Sequence, residues 1–260
     1  MGIVTTAPRS GVVSGCEIWY LYTLGSLFCP SLGKRVVRPQ DVLGQENKAW
    51  EFFVFHKDRY GDPADFGYKD LIPLFTADKF DADEWADLFV KSGAKFAGPV
   101  AEHHDGFAMW DSDLTKWDAM DMGPHRDIVG ELGKAIKERE MKFVTSFHHA
   151  RKWFWYEVTY TKDKRHDTED PKYAGANKIY PPVHTVKDSP TREYMQAWED
   201  KIIEVIDKYE PDLLWFDGGL QKEKFWRSSQ QKFDGHKRSF LSYYYNKGLK
   251  WGKEVGVTYK

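Results

Sequence analysis

LLWFDGGL, residues 213–220, decides how this chain is read. Its four apolar residues run straight into Asp217, and two glycines follow. A short apolar run without polar alternation reads as a strand covered on both faces. The carboxylate then sits where that strand opens. An acidic residue in this position can cap a helix or serve structure alone. The two glycines favour a sharp turn or the close approach of a ligand.

Two other segments have the same form. AKFAGPVAE, 94–102, leads into the polar cluster HHDGFAMWDSD, and MKFVTSF, 141–147, empties into HHARKW. Helices are predicted between these runs. The first covers 80–93, with acidic residues in its first turn, Trp85, Leu88 and Phe89 on one face and Gly93 at its end. The second covers 126–140, with Ile128, Leu132, Ala135 and Ile136 in a stripe. A third, about 191–209, buries Tyr194, Trp198, Ile202, Val205, Ile206 and Tyr209 and is stopped by Pro211. A fourth, 228–251, precedes a last strand in EVGVTY, 254–259. Residues 63–80 read as a loop in which Tyr68 and Phe75 pack. Strands alternating with helices argue for an α/β fold with a parallel sheet, whose ligand site lies at the carboxyl ends of the strands. Asp217, His103, His104, His148 and His149 all emerge at that rim.

The 260 residues suit one large domain, and 41% hydrophobic with 30% charged residues is an ordinary globular composition. A net charge of −2 gives no sign of a nucleic-acid or membrane-surface partner. Aromatics reach 16%, which either fills a large core or lines a site for a ligand with apolar faces, such as a sugar. Cys16 and Cys29 can pair in an oxidising compartment or stay reduced in the cytosol. The N-terminal stretch shows no signal peptide, and the apolar run 18–28 is too short to span a bilayer. Localisation is left open.

The rim residues permit several chemistries. A carboxylate at Asp217 can act as a nucleophile or stabilise a developing positive charge, as glycoside hydrolysis needs on one side of the sugar ring. His103 and His104 can donate hydrogen bonds to ligand hydroxyls or bind a metal. Adjacent residues on an extended chain point in opposite directions, which weighs against both meeting one ion. His148–His149 is a weaker version of the same signal. Trp215, two residues before the carboxylate, shares its side of the strand and is either a ring platform or a core residue.

FAGPVAEHHDGFAMWDSDLTKWDA, the following RDIVGELGKAIKER and PDLLWFDGG together resemble glycoside hydrolase family 29, the α-L-fucosidases, over residues 50 to 260. The resemblance implies a (β/α)8-like TIM barrel, a retaining hydrolysis of terminal α-L-fucosyl linkages, a fucosylated glycan or oligosaccharide as substrate, and no metal or other cofactor. It implies Asp217 as nucleophile, His103 and His104 as ligands of fucose hydroxyls and Trp215 beside the sugar. The family's Glu-Trp-Tyr stretch is matched by CEIWY, giving Glu17 and Trp19 as sugar contacts, with Ile18 inserted between them. Two departures stand out. Residues 1–16 lack the family's His-Trp-Gly motif, and its acid/base glutamate follows a strand like EVGVTYK, where this sequence stops. Glu223 and Glu254 do not lie in a matching context. The expectation is therefore a partial catalytic barrel domain over 1–260, truncated at both ends and weak or inactive on aryl fucosides. Two other readings stay open: a metal-dependent barrel hydrolase using the His/Asp rim, and a non-catalytic fucose-binding protein.

Overall fold

The computed structural model describes residues 28–29, 34–35, 48–160, 166–185, 188–217, 220 and 230–259. A short antiparallel pair, β1 (Phe28–Cys29) and β2 (Lys34–Arg35), stands apart from the main sheet. That sheet is parallel throughout. It is built from β3 (Phe96–Ala97), β4 (Val100–Glu102), β5 (Lys142–Phe147), β6 (Leu213–Phe216) and β7 (Gly256–Tyr259). β3 and β4 both pair with β5, so the predicted run 94–102 is one strand position broken at Gly98–Pro99. The break has a steric cause. Gly98 lies against the β5 backbone, and a Cβ there would land on the carbonyl oxygen of Val144. Ladder pairing resumes after Pro99, whose carbonyl accepts from Ser146 N at 3.2 Å and Thr145 Oγ1 at 3.1 Å.

The strands lie in chain order, β3/β4, β5, β6, β7. A doubly wound sheet reverses its order partway; a barrel lays each unit beside the last. The winding is that of a (β/α)8-like barrel. Helix α1 (Lys48–Tyr60) comes first, a segment the sequence reading left without an element. α2 (Ala82–Lys91) is capped by Asp81, whose side chain accepts from Glu84 N. Leu88 does not join the predicted face of α2. It is exposed, and Ala86 takes the buried position. α3 (Ile128–Glu138), capped by Asp127, buries the predicted stripe completely. α4 (Lys152–Trp155) is a single turn, and α5 (Arg192–Tyr209) is capped by Thr191 and closed by Glu210 at φ 43°. α6 (Gln230–Trp251) precedes β7. The loop expected over 63–80 contains a 3₁₀ helix, Tyr68–Leu74.

The core lies between the sheet and α3, α5 and α6, and Phe143, Leu214, Phe216, Ile136, Val205, Ile206 and Phe240 belong to it. Each fully buried side chain of this kind contributes roughly 1.5–3 kcal/mol. Strand burial follows the register: along β6, Leu214 and Phe216 are buried while Leu213 and Trp215 are partly exposed. Among the described residues no helix is long and apolar enough to cross a membrane.

Two outcomes are expected. Gly98→Ala pushes β3/β4 off β5 and lowers the urea unfolding midpoint, by about 1–3 kcal/mol or more in stability. An unchanged midpoint would show that the strands can separate freely there. The second concerns His56, buried on α1 with its Nε2 donating to the Phe66 carbonyl at 2.8 Å. Burial lowers its pKa below the ordinary 6.5, against the opposing effect of that bond. The unfolded chain then takes up the proton first as pH falls. This part of the stability is therefore present above 6.5 and lost toward acid. The melting temperature of His56→Gln should fall less between pH 7.5 and 5 than that of the native chain.

Candidate active site

The ladder ends bring the rim residues level. Glu102 pairs with Phe147, Phe147 with Phe216, and Phe216 with Tyr259. His103, His148 and Asp217 each follow the last paired residue of β4, β5 and β6. Two backbone bonds extend the register past the strands: His148 N donates to Glu102 O at 2.9 Å, and Asp217 N to Phe147 O at 3.2 Å. Three residues far apart in sequence therefore meet at one end of the sheet.

His103 and His104 do not point apart as strand alternation predicts. The strand stops at Glu102, and the chain turns at once, with Gly106 N donating to His103 O at 3.3 Å. Gly106 has φ +86°, and a Cβ there would meet the Ile179 carbonyl and the Lys152 side chain. The turn places the two imidazole centroids 4.1 Å apart. His148 stacks on His103 at 4.6 Å and lies 5.8 Å from His104. Its Nδ1 is 3.3 Å from Asp217 Oδ2, within ion-pair range. Trp215 stands on the same side, its ring 6.3 Å from that of His148.

Trp155, from the short helix α4, forms the opposite wall, 4.7 Å from His104 and 6.4 Å from His103. Trp155 was not singled out by sequence, and His148 only as part of the weaker His148–His149 signal at the rim. The only available signal for His148 was the shared position at a strand end; for Trp155 there was none. His149 turns the other way, stacked on Trp198 at 5.7 Å with Nε2 donating to the Trp198 carbonyl at 3.2 Å. Glu17 and Trp19 lie outside the described residues, as does Glu223. Glu254 is exposed and precedes β7, at the end of the sheet away from this cluster.

The site is dry at its base. His103 is driven down to about 3 by burial first, then by the neighbouring His148, with Asp217 opposing. His104 is lowered further, again by burial and then by His103 and His148. Both are neutral imidazoles at physiological pH, each offering one donor and one acceptor nitrogen. Beneath them, Asp105 holds the turn. Its Oδ1 accepts from Phe107 N at 3.0 Å and its Oδ2 from the Tyr68 hydroxyl at 2.6 Å. Its carbonyl accepts from the Tyr156 hydroxyl at 2.8 Å. Tyr68, read from sequence as packing, thus has a polar task as well. Together the cluster presents neutral hydrogen-bonding groups, two indole walls and one carboxylate at an opening.

A sequence profile described as α-L-fucosidase matches residues 39–260. The tissue α-L-fucosidase of Bos taurus is 32% identical over 204 residues, 78% of this chain and 36% of that protein. Its Homo sapiens counterpart is 33% identical over 194 residues, 74% of this chain and 34% of that protein. The chain therefore spans little more than a third of the curated relatives it matches. The crystal structure of the Thermotoga maritima α-fucosidase in complex with fucose superposes with a TM-score of 0.60 at 29% identity, covering 84% of this chain and 44% of that one. The profile match over most of the sequence, carried on the same barrel winding, establishes that this chain belongs to the α-L-fucosidase family.

Proposed function

We propose that this chain carries the sugar pocket and the nucleophile of a retaining α-L-fucosidase acting on fucosylated glycans, and that residues 1–260 form part of one catalytic barrel. The observation that supports this most is the convergence of Asp217 with His103, His104 and His148 at the carboxyl ends of β4, β5 and β6. In this reading Asp217 attacks the anomeric carbon as the bond to the aglycone oxygen breaks. Water later releases the sugar from the aspartyl ester. His148 orients the carboxylate, and neutral His103 and His104 bind ring hydroxyls. Trp215 and Trp155 offer apolar surface to a 6-deoxy sugar, which carries a methyl group where most hexoses carry a hydroxyl. The leaving oxygen needs a proton from a second carboxyl. Glu254, facing away, is not that group.

The test separates the nucleophile from the proton donor. A 2-deoxy-2-fluoro-α-L-fucosyl fluoride has a leaving group that departs without a proton, so it reports Asp217 alone. Peptide mass spectrometry should find one deoxyfluorofucosyl unit on the peptide containing Asp217, and none in Asp217→Gly. Absence of the label from a chain that binds L-fucose by calorimetry would mark a sugar-binding protein without a nucleophile. In the same calorimetric assay, His103→Phe should weaken L-fucose binding by about tenfold or more, because a hydrogen bond to a buried polar group is lost. Undiminished binding would remove the imidazoles from the sugar site.

A further inference from the structure

His103, His104 and His148 each present a nitrogen within 4.8 Å of the other two. Among the described residues, both nitrogens of His104, Nδ1 of His103 and Nε2 of His148 are buried without a hydrogen-bond partner. Buried polar atoms normally find partners, so a convergent set left open marks a place where something binds. Sugar hydroxyls satisfy such atoms; so does a cation. Adjacent histidines on a continuing strand would diverge, but the turn closed by Gly106 brings these two rings to 4.1 Å.

We propose that His103, His104 and His148, with Asp217 as fourth donor, form a capture site for a borderline transition-metal cation such as zinc(II), and that cation and sugar compete for it. Three imidazoles and one carboxylate are a common zinc donor set, and the ligating imidazole must be neutral. Asp217 Oδ2, already 3.3 Å from His148 Nδ1, supplies the anionic donor. Tetrahedral bonds of about 2.0–2.1 Å set the donor atoms roughly 3.3 Å apart. Donor separations of up to 4.8 Å must therefore close to roughly 3.3 Å, by about 1.5 Å at most, within the reach of side-chain rotations. Two features oppose tight binding. The charge of Arg151 acts on both His103 and His104. Among the described residues, the open ring nitrogens also lack the carboxylate or carbonyl acceptors that usually stand behind a zinc ligand, an omission that costs about 10–100-fold in affinity. The site is thus a moderate, reversible trap and not a structural centre. A bound cation would engage the Asp217 carboxylate and the hydroxyl-binding imidazoles together, and so would inhibit. Only the competition with sugar rests on the function proposed above; the donor set stands without it.

Cobalt(II) tests this directly, because a four-coordinate site gives intense visible d–d absorption. Titration of the full chain, free of any histidine tag, should saturate at one equivalent with a four-coordinate spectrum. His148→Gln and His103→Gln, each checked for native circular dichroism, should each weaken uptake by about tenfold or more. L-fucose should bleach the band. No stoichiometric uptake, or uptake undiminished in both variants, overturns the site. A band lost in the variants but insensitive to saturating L-fucose overturns the competition alone. L-fucose binding by calorimetry without cobalt uptake leaves the sugar pocket standing and removes the metal.

Discussion

The rim depends first on a buried ion pair. Glu102, the last residue of β4, is wholly inaccessible to solvent, and its Oε2 accepts from Lys201 Nζ on α5 at 2.7 Å. Burial alone would raise its carboxyl, yet Lys201, then His149 and Lys152, hold it below the ordinary range. The backbone carbonyl of the same residue accepts from His148 N. One residue therefore ties the end of β4 to β5 through its main chain and to α5 through its side chain. The net worth of a buried pair against an apolar alternative is often small, but removing one partner leaves an uncompensated charge and costs about 3–5 kcal/mol. The relative placement of His103 and His148 is built on that dependence.

A second polar layer fixes the turn itself. Burial raises the Asp105 carboxyl to about 7, while backbone donors and the charges of Lys152 and Lys201 oppose it. Burial lowers the Lys152 ammonium to about 7. Lys152 also donates to the Lys178 carbonyl and packs where any side chain at position 106 would have to go. Such groups are expensive to bury and tolerate only the arrangement that satisfies them. Their value here is geometric. A loop of five residues, HHDGF, is made as definite as a strand, so two side chains that regular strand geometry would separate face one opening.

What sequence revealed follows from this. The strands at 142–147 and 213–216 were legible because a parallel strand covered on both faces is apolar without interruption. The stripes of α3 and α5 were legible because each buries one face. Asp217 and the histidines were legible as rim residues because apolar runs stop where the sheet opens. The helix Lys48–Tyr60 was not, since WEFFVF is aromatic-rich and holds no clear period of 3.6. Nor could sequence distinguish His148 from His149. The residues are identical in type, and the register of β5 against β4 and β6 decides which one faces the site. Trp155 was hidden because a single-turn helix leaves no periodic trace. The direction of His104 depended on where β4 ended, a matter of one residue.

The same requirements govern both ligands proposed for this cluster. To bind sugar hydroxyls, imidazoles must be neutral, close together and unpaired within the protein. Those are also the conditions for metal ligation. Proteins built to hold zinc usually add an acceptor behind each ring, fixing the tautomer and raising the basicity of the ligating nitrogen. At this rim, among the described residues, the hydrogen bonds go instead to the backbone of the turn and to Asp105, which position His103 and His104 without engaging their open nitrogens. An imidazole left without such a partner can choose its tautomer, and so can donate to one hydroxyl or accept from another. That freedom suits a polyhydroxylated ring whose groups alternate between donor and acceptor roles. It also leaves the nitrogens accessible to a cation while withholding the support that would hold one firmly. The proposed balance between sugar and metal therefore rests less on the histidines themselves than on what lies behind them.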